Sequence, residues 1–188
     1  MKKNNLKNNV PYNYIYTKEK PVSFITEEYQ KTLANLEFIN VDGEFKVIQI
    51  TSSLQSEGKT TFLSSLCYLL GQKNKRVLII DLDLRRPKLH LIVDSLNNKG
   101  ITDILMGDIE LNDAIMKNTG LGVDVLSSGN RTTAYINILE SVKLKSLIQE
   151  LRTQYDYILI DSPPVIAVSD ALYISKLTDG ALFIMENS

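Results

Sequence analysis

Five short stretches of the 188-residue chain, at 47–50, 77–80, 123–126, 157–160 and 181–185, are apolar almost without interruption. A strand that alternates apolar and polar residues buries one face. A strand apolar at every position buries both, as in a parallel sheet covered by helices on each side. The stretches between have helical period instead, with Leu63, Leu66, Cys67 and Leu70 in one and Leu144, Leu147, Ile148 and Leu151 in another. Strands and helices in alternation predict an α/β fold with a doubly wound, mainly parallel sheet flanked by helices and joined by right-handed crossovers. Ligands of such sheets bind beyond the carboxyl ends of the strands.

The length suits one domain. Residues 1–22, rich in Asn and Lys with two prolines, are expected to form a flexible arm, and residues 23–188 the folded domain. Thr26-Glu27-Glu28 predicts a helix start with Thr26 as cap, and Tyr29, Leu33 and Leu36 give that helix one apolar face. Tyr12, Tyr14 and Tyr16 read better as aromatic anchors of the arm than as phosphate acceptors. A net charge of −1 calls for no nucleic acid. Cys67 stands alone and forms no internal disulfide, and His90 has no ligand or nucleophile beside it. No apolar run approaches the ~20 residues of a membrane span. The basic N-terminus is not followed by a signal-peptide core. The expected location is the cytosol, with any membrane attachment supplied by a partner.

After the first apolar run the chain reads Ser52-Ser53-Leu54-Gln55-Ser56-Glu57-Gly58-Lys59-Thr60-Thr61 and then turns helical. Strand, tight loop and helix N-terminus gather backbone N–H groups around one point, where the helix dipole also favours an anion. Ser56, Glu57, Gly58, Lys59, Thr60 and Thr61 are the candidate nucleotide-binding residues. Gly58 lets backbone approach phosphate. Lys59 offers a mobile charge to the β- and γ-phosphates of ATP, and Thr60 a hydroxyl to Mg²⁺. Taken alone, Gly-Lys-Thr-Thr is also an ordinary helix start.

Two further runs end in carboxylates: Asp81-Leu82-Asp83-Leu84-Arg85-Arg86-Pro87 and Asp161-Ser162-Pro163-Pro164. In extended chain Asp81 and Asp83 share a face. One such aspartate would be read as a cap or turn residue. Three of them, in a chain that also carries Gly58-Lys59-Thr60, point to an ATPase-type site. Thr60, Asp81 and Asp161 are the candidate ligands of a hard cation that keeps few protein ligands. Lys59, Asp81 and Asp83 are the candidate catalytic groups, neutralising phosphoryl charge and orienting or deprotonating the attacking hydroxyl. Arg85 and Arg86 fit contact with phosphate or a neighbouring subunit as well as they fit solvated surface.

These motifs resemble the cytoplasmic kinase domain of bacterial tyrosine kinases that regulate capsule and exopolysaccharide synthesis, within the MinD/ParA-like P-loop superfamily. Residues 77–87 are similar to the family's second Walker motif, which runs through Asp-x-Asp-x-Arg-Arg-Pro, and residues 160–164 to its Walker B motif. Residues 100–105, Ser169-Asp170-Ala171 and Asp179-Gly180 also match, so the likeness runs from about Glu27 to Ser188. The resemblance implies Mg²⁺·ATP-dependent autophosphorylation on tyrosine, protein tyrosine substrates and self-association. It also implies a membrane-anchored adaptor, the chain-length determinant of the pathway. By the same resemblance Lys59 would bind phosphate, Thr60 and Asp161 the metal, and Asp81 and Asp83 would act near the acceptor hydroxyl, with Asp81 as base.

The chain departs from the family pattern in three places. Gln55-Ser56 replaces Pro-Gly, so a left-handed backbone there would cost about 1–2 kcal/mol. Glu28, Lys31 and Ala34 stand where the ring-forming helix has Glu-x-x-Arg-x-x-Arg; Lys31 lacks the planar fork and Ala34 the charge. The chain reaches Ser188 just after the last apolar run, before the family's closing sheet elements and tyrosine cluster, an apparent truncation that leaves an apolar edge at 181–185. Two other functions fit a P-loop. One is a MinD/ParA-like ATPase switch, whose loop ordinarily carries an early lysine that positions 52–57 lack. The other is a non-catalytic nucleotide-binding partner of a polysaccharide export complex.

Overall fold

The computed structural model describes residues 15–186, and every apolar run is a strand in it. The chain begins with α1 (Tyr16–Glu19) and α2 (Phe24–Ile39), followed by β1 (Val47–Ser52), α3 (Lys59–Gln72) and β2 (Val77–Asp81). Three short helices, α4 (Leu89–Ile92), α5 (Ile101–Met106) and α6 (Leu111–Ala114), lead to β3 (Asp124–Leu126). Then come α7 (Tyr135–Leu139), α8 (Val142–Gln154), β4 (Tyr157–Asp161), α9 (Asp170–Ser175) and β5 (Gly180–Ile184).

The strands form one sheet in the order β3-β2-β4-β1-β5, each parallel to its neighbours. β1, β2 and β4 are buried at every position, as continuous apolar runs require. Alternate residues feed two cores. On one side Leu78, Ile80, Ile158 and Ile160 meet Leu144, Ile148 and Leu151 of α8. On the other Ile48, Ile50, Ile79 and Leu159 meet Leu63, Leu66, Cys67 and Leu70 of α3, with Leu33 and Leu36 of α2 behind. Each such side chain contributes roughly 1.5–3 kcal/mol by leaving water. Gln49, a polar residue inside β1, is satisfied by Ser162 Oγ at 2.9 Å and Ala171 O at 3.0 Å.

Several residues that matched the family by sequence alone hold corners of this fold. Asp179 Oδ2 accepts from the amides of Lys46 and Val47 at 2.8 and 2.7 Å and pairs with Arg152, fixing the entry of β1. The Asp103 carboxylate accepts from Gly100 N and from Asn130, closing the turn after β3 onto the start of α5. Gly100 is required there, because a Cβ would stand 2.2 Å from Ser127 O. At the far edge β5 pairs with β1, and among the described residues its other side is unpaired; Phe183 is exposed there, and Met185 just beyond it.

Two expectations change at the N-terminus. The cap of α2 is Ser23, whose hydroxyl accepts from Thr26 N at 3.1 Å, while Thr26 is buried and donates to Lys20 O at 2.6 Å. Both hydroxyls suit a cap, and the buried one is occupied elsewhere. Within the arm expected at 1–22, Tyr16–Glu19 is helical and docked on α3: Tyr16 N donates to Ser65 Oγ and Thr17 Oγ1 to Ser65 O. Tyr12 and Tyr14 lie outside the described residues. Glu28 and Lys31 bond to each other along α2 at 2.6 Å.

Candidate active site

The sheet order places the carboxyl ends of β1, β4 and β2 side by side, with Asp81 in register with Asp161 and Asp161 with Ile50. Every candidate residue converges there. Between β1 and α3 the loop closes on itself: Ser52 Oγ donates to Leu54 O at 2.8 Å, and Leu54 N donates to the Glu57 carboxylate at 2.7 Å. Two of its residues are left-handed, Ser56 at φ +69° and Gly58 at φ +85°. The strain expected for Ser56, about 1–2 kcal/mol, therefore falls on that residue. Gly58 caps α3, and no heavy atom lies within 4 Å of where its Cβ would stand, so backbone is open to an incoming group in front of the helix. Thr60 and Thr61 follow in the first turn.

Lys59, the first residue of α3, forms an ion pair with Asp161 Oδ1, both side chains being almost fully buried. Burial works against the ammonium charge, but the carboxylates of Asp161, Asp83 and Asp81 hold its pKa above the ordinary value. Asp81 is wholly buried and accepts three backbone amides, from Asp83 at 3.1 Å, Lys88 at 3.1 Å and Leu89 at 3.0 Å. Burial first, and then the charge of Asp161, push its pKa up to about 8. Asp83 is half-buried; burial raises its pKa, Lys59 opposes the shift and Asp161 adds to it. Asp81, expected as the proton acceptor, has both carboxylate oxygens on backbone amides and no exposed surface, whereas Asp83 is partly open. The missing signal was burial: adjacent aspartates in one motif look alike until the fold hides one.

Burial, and after it the neighbouring charge of Asp161, disfavours the ionised forms of Asp81 and Asp83, and a small divalent cation would offset that cost. Among the described residues no three His, Cys, Asp or Glu side chains stand together as a closed metal cage. Mg²⁺ takes one or two carboxylates and completes its shell with phosphate oxygens and water. Asp81 and Asp161, in register at the ends of β2 and β4, could supply the carboxylates, and Thr60 stands in the first turn of α3.

The two arginines are not idle surface. The Arg85 fork donates to both oxygens of Asp170, at 2.8 and 3.1 Å, and lies 4.6 Å over the ring of Tyr135. Arg86 donates to Gln55 Oε1 at 2.7 Å, so the residue that departs from the family pattern is the one the phosphate loop uses to hold its neighbour. Neither pairing has a local sequence signal, since each joins segments far apart in the chain. Cys67 is fully buried and its thiol is pushed up by that burial, as a core residue. His90 lies outside the cluster.

A family model described as an AAA domain matches residues 45–178. The tyrosine-protein kinase YwqD of Bacillus subtilis (strain 168) is 33% identical over 167 residues, covering 89% of this chain and 70% of that protein. The solved kinase domain of Escherichia coli tyrosine kinase ETK superposes with a TM-score of 0.86 at 28% identity, covering 94% of this chain and 68% of the other. The septum site-determining protein MinD from Pyrococcus horikoshii OT3, solved with Mg-ADP, is further off. Its TM-score is 0.62 at 30% identity, over 74% of this chain and 57% of that one.

Proposed function

The chain belongs to the bacterial tyrosine kinases, and we propose that it transfers the terminal phosphoryl group of ATP to tyrosine hydroxyls of other copies of itself or of protein substrates. The observation that carries this reading is the buried pairing of Lys59 with Asp161, beside Asp81 and next to the open turn at Gly58.

ATP is the substrate, and its phosphates would take the loop from Ser56 to Thr61, where helix N–H groups and bare backbone meet. Mg²⁺, when bound with it, supplies neutralisation of the phosphoryl oxygens; Thr60, Asp161 and Asp81 would hold it. To reach phosphate, Lys59 must let go of Asp161, so nucleotide binding exchanges one anionic partner of the ammonium for another and frees that carboxylate. Asp83 receives the proton of the acceptor hydroxyl. Asp81 holds the loop that carries Asp83 through its amide bonds.

The cellular role we infer is regulation of capsular and exopolysaccharide synthesis and export, supported by the motif resemblance. A membrane-anchored adaptor would activate the kinase and bring it to the inner face of the plasma membrane. Among the described residues no helix is long and apolar enough to cross a membrane. Self-association belongs to the same reading.

Radiolabelled ATP and Mg²⁺ with the purified chain, alone, with an adaptor tail and with a tyrosine-rich peptide, test the reading beside Lys59→Ala and Asp83→Asn. Label on tyrosine that disappears in both variants is the expected result. Nucleotide binding with no transfer under any condition would instead identify a non-catalytic relative. ATP hydrolysis without tyrosine label would identify a MinD-like switch.

A further inference from the structure

We propose that Arg85 is a positioning residue for phosphoryl transfer, its fork gripping Asp170 and its face stacked on Tyr135 so that the loop after β2 presents Asp83 to the acceptor. The proposal rests on the kinase reading above, in which Asp83 touches the substrate.

The loop from Leu82 to Leu89 needs several supports to stay in one place. Its backbone is held at one end by Leu82 N on Asp161 O at 2.9 Å, and at the other by Lys88 and Leu89 on Asp81. Leu82 and Leu84 point into the core. Asp83 lies between these two buried leucines, and the residue after them, Arg85, ties the outer side of the loop to a different part of the chain. Asp170 opens α9 and is fully buried, yet both its oxygens face Arg85. Its charge is therefore committed to this loop. Tyr135 opens α7 and supplies the platform beneath the guanidinium, at cation–π distance. One side chain thus joins the acidic loop, α7 and α9. A lysine keeps the charge but can neither span both carboxylate oxygens in plane nor stack in the same way.

Such a brace matters because a catalytic group misplaced by about 1 Å loses on the order of 100-fold in rate. The test uses the whole chain with Mg²⁺·ATP and a tyrosine-rich peptide. Turnover is counted per nucleotide-binding site, and amide exchange is followed across residues 82–89. Arg85→Ala is expected to lower kcat per site by roughly 10–100-fold with ATP affinity nearly unchanged and exchange in 82–89 accelerated. Arg85→Lys recovers part of the rate. Tyr135→Phe, which keeps the ring, behaves as wild type, and Tyr135→Ala loses rate. Normal turnover per site in Arg85→Ala, with only the yield of binding-competent protein reduced, overturns the proposal and leaves Arg85 a stability residue. Should Arg85→Ala not fold, Tyr135→Ala decides by the same two readouts, and no change in either overturns the proposal. If the wild type binds nucleotide but transfers nothing, the kinase reading fails by itself; unchanged exchange in 82–89 then overturns the brace, and faster exchange sustains it.

Discussion

Gly58 and Ser56 allow backbone strain in the phosphate loop to be measured apart from packing. Gly58→Ala adds a methyl group to open space, since nothing lies within 4 Å of that Cβ position, so its cost in the nucleotide-free chain is conformational. A left-handed alanine costs about 1–2 kcal/mol, and the stiffer unfolded chain returns about 0.4–1 kcal/mol. The net loss is about 1 kcal/mol. Ser56 at φ +69° already carries the same penalty. Ser56→Gly relieves about 1–2 kcal/mol and gives back up to about 1 kcal/mol through a looser unfolded chain, a net gain below about 1 kcal/mol. In a chain of this size 1 kcal/mol moves Tm by about 2–4 °C. Thermal unfolding followed by circular dichroism without nucleotide should therefore show Gly58→Ala melting about 2–4 °C lower and Ser56→Gly melting slightly higher. Nucleotide titration should show weaker binding for Gly58→Ala, whose new methyl stands where phosphate approaches, and none of that loss for Ser56→Gly. A Gly58→Ala chain as stable as wild type, or a Ser56→Gly chain that melts earlier, refutes the assignment of strain to these two residues.

Lys59→Met leaves the buried Asp161 carboxylate without its partner. Urea unfolding should show a loss of about 3–5 kcal/mol at pH 8, and an unchanged midpoint would mean that the pair contributes nothing to stability. Asp81 is raised from 3.8 to about 8 by burial and by Asp161, so the folded chain keeps a proton that the unfolded chain has already lost. Stability should then fall as pH climbs through that window. Asp81→Asn should flatten the slope of unfolding free energy between pH 6 and 8, and an unchanged slope would place the pH dependence elsewhere. Gly100→Ala drives a methyl to 2.2 Å from Ser127 O and 2.3 Å from Gly129 N, backbone atoms that cannot swing aside. Expect a loss of about 3 kcal/mol or more, seen as a collapse in folded yield; normal yield would mean that this turn is not as tight as described.

The strands were legible because a parallel sheet buries both faces, and the runs at 47–50, 77–80 and 157–160 say so without help from context. The phosphate loop and the aspartates at 81 and 161 were legible for a related reason: chemistry concentrated at strand ends has a short, local spelling. What stayed hidden depends on distance. The bonds of Arg85 to Asp170 and of Arg86 to Gln55 link residues 85 and 31 positions apart. No window of sequence contains both partners. The difference between Asp81 and Asp83 is one of burial, which only the packed loop decides. α1 is a four-residue turn that exists because Ser65 and the α3 surface receive it; its own sequence carries no helical period long enough to read.

The sheet order also sets a timetable for the chain as it is made. β1, which carries the phosphate loop, pairs with β4 and β5, both from the final third of the sequence, whereas β2 and β3 can pair with each other sooner. Lys59 is synthesised 102 residues before Asp161. At about 5–20 residues per second, that is an interval of roughly 5–20 seconds. During it β1 has no strand to pair with, and the lysine lacks its ion-pair partner. ATP can therefore offer no early template for this domain. It can reward only a chain in which β4 and β5 have already arrived, and until then the segment around β1 is the one a chaperone has most reason to cover.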